Sequence, residues 1–189
     1  MQPPQKRQLV ITPFVIEGHA LPPEIAQGLG ALDEARRRTF GVLEGVSEAE
    51  LDWHPPVQTG ANSLGTLLYH IAAVEADWVY ADIVQHWPDA LTALFPWDVR
   101  NAQGRLTVVA GLSLDQHRQR LDQVRAFAVE AYSNISADRF QRTRSNPDHD
   151  VSPEWVLHHL MQHEAEHRGE IRLVRELFRH SIDSIDAVL

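Results

Sequence analysis

The chain has 189 residues, 43% of them hydrophobic, enough for one domain with its own core and too few for two comfortable ones. Its formal net charge of −9, from 17 Lys and Arg against 26 Asp and Glu, repels phosphate backbones and argues against nucleic acid as a partner. Cysteine is absent, which excludes disulfides, cysteine ligands and a cysteine nucleophile, and no apolar run approaches the ~20 residues of a membrane span.

The N-terminus lacks the apolar core of a signal peptide, so the expected location is the cytoplasm. Prolines and a short apolar stretch from Leu9 to Ile16 predict that residues 1–23 form an extended arm, laid along the domain or a neighbouring subunit. A first helix is predicted from about Pro23 to Val46, with Ile25, Leu29, Leu32, Phe40 and Leu43 near helical spacing. Arg36, Arg37 and Arg38 are expected mostly outward. Ser47-Glu48-Ala49-Glu50 reads as a capping box opening a short turn, which Trp53-His54-Pro55-Pro56 ends.

The second long helix is predicted from the N-cap Ser63 to about His86. Leu64, Leu67, Leu68, Ile71, Val74, Glu75 and Trp78 form its stripe, with His70 at the edge. Residues 87–112 are broken by Pro88, Pro96, Gly104 and Gly111 and read as a long connection of the kind that covers a site or forms a crossover. A capping box at Ser113-Leu114-Asp115-Gln116 starts the third helix, which runs to about Asn134 on the inner face of Leu114, Leu121, Val124, Ala128 and Ala131. Residues 136–150 are polar, with a turn at Asn146-Pro147-Asp148. Ser152 and Pro153 open the last helix, predicted to about Phe178. These elements predict an all-α four-helix bundle as one domain over residues 24–180, followed by a tail at 181–189.

The chain has eleven histidines, and their placement carries the functional reading. On the last helix the apolar stripe runs Val156, Leu160, His163, His167, Ile171, Val174, Phe178, so two imidazoles replace apolar residues one turn apart. Burying each without a partner costs on the order of 1–3 kcal/mol. A divalent cation would offset that, as would bonds to a neighbouring Glu, Tyr or water. His70 is the third candidate, and three histidines with coordination positions left open suit a catalytic metal. Nitrogen donors favour Zn, Ni, Fe or Mn over Ca or Mg.

The same segment spells His-Glu-x-x-His, in which Glu164 would act as general base of a zinc peptidase. Against that stand the lack of strands and of a downstream third ligand, since Glu176 lies on the same helix. Glu75 is a second candidate catalytic or orienting carboxylate, and pairing with an arginine is its alternative. His159 is expected to be a partly exposed helix histidine, and Trp53, Tyr69 and Trp78 core residues. Gly169 marks either a close helix approach or mere tolerance. His19, His54, His86, His117, His149 and His180 are assigned to surface or loops.

Three segments together resemble one family. Leu64-Gly65-Thr66-Leu67-Leu68-Tyr69-His70-Ile71-Ala72 with Glu75 and Trp78, the stretch His163-Glu164-Ala165-Glu166-His167-Arg168-Gly169-Glu170-Ile171, and Leu51-Asp52-Trp53-His54-Pro55 are similar to segments of DinB/YfiT-like proteins. The resemblance implies an up-down-down-up four-helix bundle, often dimeric, with a divalent metal on His70, His163 and His167. Glu170 stands where the family often has Gln. Characterised members of such a family are thiol-dependent transferases and isomerases that use mycothiol, bacillithiol or glutathione. The resulting expectation is a metal-dependent enzyme acting on a small molecule, with thiol S-transfer first and metal-assisted hydrolysis second. Without cysteine in the chain, any thiol arrives as a low-molecular-weight cosubstrate. The expectation from a different class is a non-catalytic, stress-linked protein that binds a metal or ligand.

Overall fold

The computed structural model describes residues 10–186. In chain order the elements are α1 (Pro23–Val42), α2 (Glu48–Asp52), α3 (Leu64–Asp77), α4 (Asp89–Thr92), α5 (Leu114–Ser133), α6 (Ala137–Phe140), a hairpin of β1 (Arg144–Ser145) and β2 (Asp150–Val151), and α7 (Pro153–Asp186). Three of the four long helices start at a serine cap, while α1 opens after Pro22 with no side-chain cap. Ser63 Oγ accepts from Thr66 N at 3.3 Å, and Ser113 and Gln116 form a reciprocal capping box. Ser152 Oγ accepts from Trp155 N at 3.2 Å.

Contacts along the axes set the helix directions. Gly28 meets Leu157, Ala35 O accepts from Arg168, and Val42 O accepts from Arg175, so α1 and α7 run parallel. Gly65 meets His117, Glu75 meets Arg125, and Tyr80 bonds Phe127 O, so α3 and α5 also run parallel. His70 lies against His163 and Trp78 against Trp155, so α3 and α7 are antiparallel. The result is an up-down-down-up four-helix bundle, with Leu29, Leu32, Leu67, Ile71, Leu121, Val124, Val156 and Ile171 in its core.

Several element ends differ from the sequence reading. The first helix stops at Val42, four residues before Val46, and the chain turns through Gly45 at φ +72°. The second is α-helical only to Asp77. A π-helical turn from Trp78 to Val84 then widens it, and Gln85 at φ 56° ends it. The polar stretch 136–150 contains α6 and the hairpin. Residues 181–186, expected in the tail, continue α7, while 187–189 and residues 1–9 of the arm lie outside the described residues. From Val10 the arm lies on α1 of its own chain: Phe14 N donates to Ala26 O at 2.8 Å, and a Cβ at Gly30 would sit 2.0 Å from Thr12 O.

One correction concerns charge. Arg37 and Arg38 face solvent and pair with Glu34, but Arg36 points into the bundle and is only 4% exposed. Its guanidinium donates to Glu75 Oε2 at 2.7 Å, Glu164 Oε1 at 2.8 Å and Leu121 O at 3.1 Å. Arg125 completes the cluster, with its Nε 2.6 Å from Glu75 Oε1 and its Nη2 3.6 Å from Glu164 Oε2. Two cations and two anions thus neutralise one another, one from each long helix. Removing one partner leaves an unpaired buried charge. Arg36→Met is therefore expected to lower unfolding free energy by about 3–5 kcal/mol in urea titrations followed by circular dichroism, while Arg37→Met stays within about 0.5 kcal/mol of wild type.

Candidate metal centre

The groove between α3 and α7 holds the three histidines. His163 and His167 sit one turn apart on α7, and His70 faces them from α3. His163 Nε2 is 3.2 Å from His70 Nε2 and 3.0 Å from His167 Nε2, and all three ligand nitrogens lie within 4.8 Å of one another. Tetrahedral coordination with metal–nitrogen bonds of about 2.0–2.1 Å puts ligand nitrogens about 3.3 Å apart. The donor set therefore fits one small divalent cation.

Electrostatics agree. Burial, then repulsion from His167 and Arg100, lowers His70 from 6.5 to about 4. Burial, with repulsion from His167 and His70 next, lowers His163 to about 3. Both rings are neutral at pH 7, which leaves ring lone pairs free to face a cation. His167 Nδ1 lies 2.9 Å from Glu170 Oε2. That carboxylate accepts a hydrogen bond from Nδ1–H and leaves the His167 Nε2 lone pair for the centre, as an outer partner of a metal-binding histidine does. The nearest aromatic neighbour on α7, His159, does not join the donors. Its ring centre is 5.9 Å from that of His163, and it stacks on Trp155 at 4.9 Å.

Residues 31–171 match the family model of the DinB superfamily. The chain belongs to the DinB superfamily. In structure it is similar to a crystal structure of a conserved protein from Enterococcus faecalis, with a TM-score of 0.62 at 18% identity, over 79% of this chain and 94% of that one. At that identity the likeness shows the fold alone. No curated protein matches the chain in sequence.

This DinB-superfamily bundle brings the three expected histidines together and separates the expected carboxylates from them. Glu164 is 1% exposed and its carboxylate is held by Arg36 and Arg125. Adjacent helix positions diverge by about 100°, so His163 faces the groove while Glu164 faces the bundle axis. The peptidase reading fails on that geometry. Glu75 is likewise bound by Arg36 and Arg125, the arginine-pairing alternative rather than the orienting one. A Cβ at Gly169 would meet nothing within 4 Å, so the glycine is tolerated there. Tyr69 is a core residue at 2% exposure, whereas Trp53 and Trp78 are half-buried, and Trp78 flanks the groove. His117, assigned to the surface, is 1% exposed beneath Gly65, and burial lowers it to about 4.

The sequence reading missed the residues that face His70. A cavity of about 580 Å³ beside it is lined by Asp77, Trp87, Phe95, Trp97, Asp98 and Arg100, among others. The connection 87–112 folds back on α3, with Tyr69 Oη donating to Trp97 O at 2.6 Å and Val109 N donating to Thr66 Oγ1 at 3.1 Å. Three aromatics within residues 87–97 were the available signal. Burial raises Asp77 above its ordinary value, with Asp82 adding repulsion.

Two outcomes follow from this geometry. Purified protein should bind one zinc or nickel ion per chain by calorimetry and elemental analysis; His163→Ala should abolish binding, and Glu170→Ala should weaken it by about 10–100-fold. In the chelated protein, His70, His163 and His117 stay neutral in the fold, while their unfolded counterparts protonate near 6.5. The unfolded chain then binds more protons below that value, so stability is full above pH 6.5 and falls as pH drops toward about 4. Urea midpoints at pH 7 and pH 5 should show the loss, and His117→Asn should reduce it.

Proposed function

We propose that this DinB-superfamily protein is a metal-dependent enzyme that joins a small electrophilic substrate to a low-molecular-weight thiol. The observation that carries the reading is the convergence of three imidazole nitrogens beside an aromatic-walled cavity that His70 itself lines. A divalent cation held by three neutral imidazoles supplies Lewis acidity that lets a thiol or water lose its proton near neutral pH. His70, His163 and His167 hold that cation, and Glu170 fixes the His167 ring. Trp87, Phe95 and Trp97 exclude water from the substrate's apolar part, and Arg100, Asp77 and Asp98 supply polar contacts at the cavity wall.

Thiol transfer is favoured over hydrolysis by the fate of the glutamates. Hydrolysis needs a general base positioned on water; the two glutamates nearest the ligands in sequence, Glu164 and Glu75, are engaged by arginines, which leaves only Asp77 and Asp98 of the cavity wall for that role. The same observation favours a second reading, a non-catalytic protein that keeps a metal or ligand.

The deciding experiment is turnover of a small electrophile by metal-loaded protein with and without added mycothiol, bacillithiol or glutathione. Product formed only with thiol, and lost in His163→Ala, supports the transferase. Metal binding with no turnover supports the binding protein. Turnover without thiol supports a hydrolase.

A further inference from the structure

The hairpin between α6 and α7 carries an unexplained concentration of positive charge. Arg139, Arg142 and Arg144 line one small cavity of about 180 Å³ together with Thr143. In a chain of net charge −9, three arginines about one small cavity stand out, and the one carboxylate that acts on Arg139 and Arg142 is the exposed Asp138. Arg144 Nη1 donates to the carbonyls of Arg139 and Arg142, at 3.4 and 3.2 Å, rather than to an acid. The neighbouring Asp138 accepts from Ser136 Oγ at 2.6 Å, and that bond together with attraction to Arg139 and Arg142 lowers its pKa. Partial burial and repulsion from Arg139 hold Arg144 below the ordinary arginine value. These guanidiniums repel one another, and an oxyanion between them would turn that repulsion into charge-assisted hydrogen bonds.

A second cavity shares Thr143 with this one and also has Asp150 in its lining. It measures about 430 Å³ and is lined by Trp78, His149, Val151 and Trp155, among others. Trp155 is 46% exposed, with its ring centre 5.1 Å from that of Trp78 and its plane stacked on His159 at 6°. An indole held in place with that much apolar surface open to water is suited to stack on a planar ring. The carboxylates nearby have partners: Asp82 lies 3.1 Å from His149 Nε2, and Asp150 accepts from Ser145 Oγ at 2.7 Å. Gln85, at the end of the π-helical turn, anchors the hairpin through Ser145 O and Asn146 Oδ1, at 3.1 and 2.9 Å.

We propose that the two cavities form one site for a small molecule that joins a planar ring to a phosphate, of the size of a nucleoside monophosphate. Trp155 and Trp78 take the ring, and Arg139, Arg142 and Arg144 take the phosphate. A phosphomonoester dianion matches three arginines better than a single-charged carboxylate does. The site uses none of the three metal-binding histidines, His159 lies between Trp155 and His163, and the proposal does not depend on the thiol-transfer reading.

Chelator-treated full-length protein is titrated with adenosine and uridine 5′-monophosphates, the parent nucleosides and inorganic phosphate, by calorimetry and tryptophan fluorescence. The monophosphates are expected to bind at least tenfold tighter than nucleoside or phosphate, and more weakly as salt rises. Arg139→Gln with Arg142→Gln, both at exposed positions, should remove at least tenfold of the monophosphate affinity and leave nucleoside binding unchanged. Trp155→Ala should weaken monophosphate and nucleoside alike. Circular dichroism checks that both variants are folded, and His163→Ala should bind as wild type. The proposal is overturned by monophosphates binding no tighter than phosphate, by binding that survives both the arginine and the tryptophan changes, or by loss of binding in His163→Ala, which would place the anion at the histidines.

Discussion

Four charged side chains, one from each long helix, meet inside the bundle and tie it together. Arg36 of α1 reaches Glu75 of α3 and Glu164 of α7, and Arg125 of α5 reaches the same two glutamates. Taken singly, each charge would be expensive to remove from water; taken together, they balance to zero and satisfy one another. The arrangement also sets register. Sliding any one helix by a turn, about 5.4 Å, would break its charged contacts and leave the remaining ions unpaired.

That register is what positions the histidines. His70 and Glu75 share α3, and His163 and Glu164 are neighbours on α7, so the helices that carry the ligands are the helices that carry the anions. On each helix one face turns to the bundle axis and the arginines, the other to the groove. The groove side gathers neutral imidazoles kept uncharged by burial and mutual repulsion, beside a cavity closed by the 87–112 connection. The axis side gathers compensated charge. Glu164, next to a ligand histidine in sequence, is therefore turned away from the chemistry by helical geometry, which removes the peptidase motif and leaves Asp77 and Asp98 as the carboxylates of the cavity wall.

Much of the fold was legible because it is written in local signals. Serine caps at Ser63, Ser113 and Ser152 mark where three long helices begin, and the structure starts them there. The stripe of α7 showed two histidines in apolar positions, and His70 completed the set by its place at the edge of another stripe. Ends were harder to read. Nothing in the run after Asp77 announces a π-helical turn, which begins at Trp78, where the ring packs against Trp155 and His159. Arg36 looked like the first of three surface arginines, and only its packing partners distinguish it from Arg37 and Arg38.

The sequence by itself determined the long helices, their amphipathic faces and the placing of His163 and His167 on one face, since each depends on spacing within about one or two helical turns. The tertiary structure alone decided which carboxylates are captured by arginines, which loop aromatics wall the cavity, and where Arg139, Arg142 and Arg144 gather. Those outcomes join residues tens of positions apart, such as Arg36 with Glu164 and His70 with the 87–112 connection. No local pattern encodes such a meeting, because it is fixed by helix direction and register, which emerge only when all four helices pack at once.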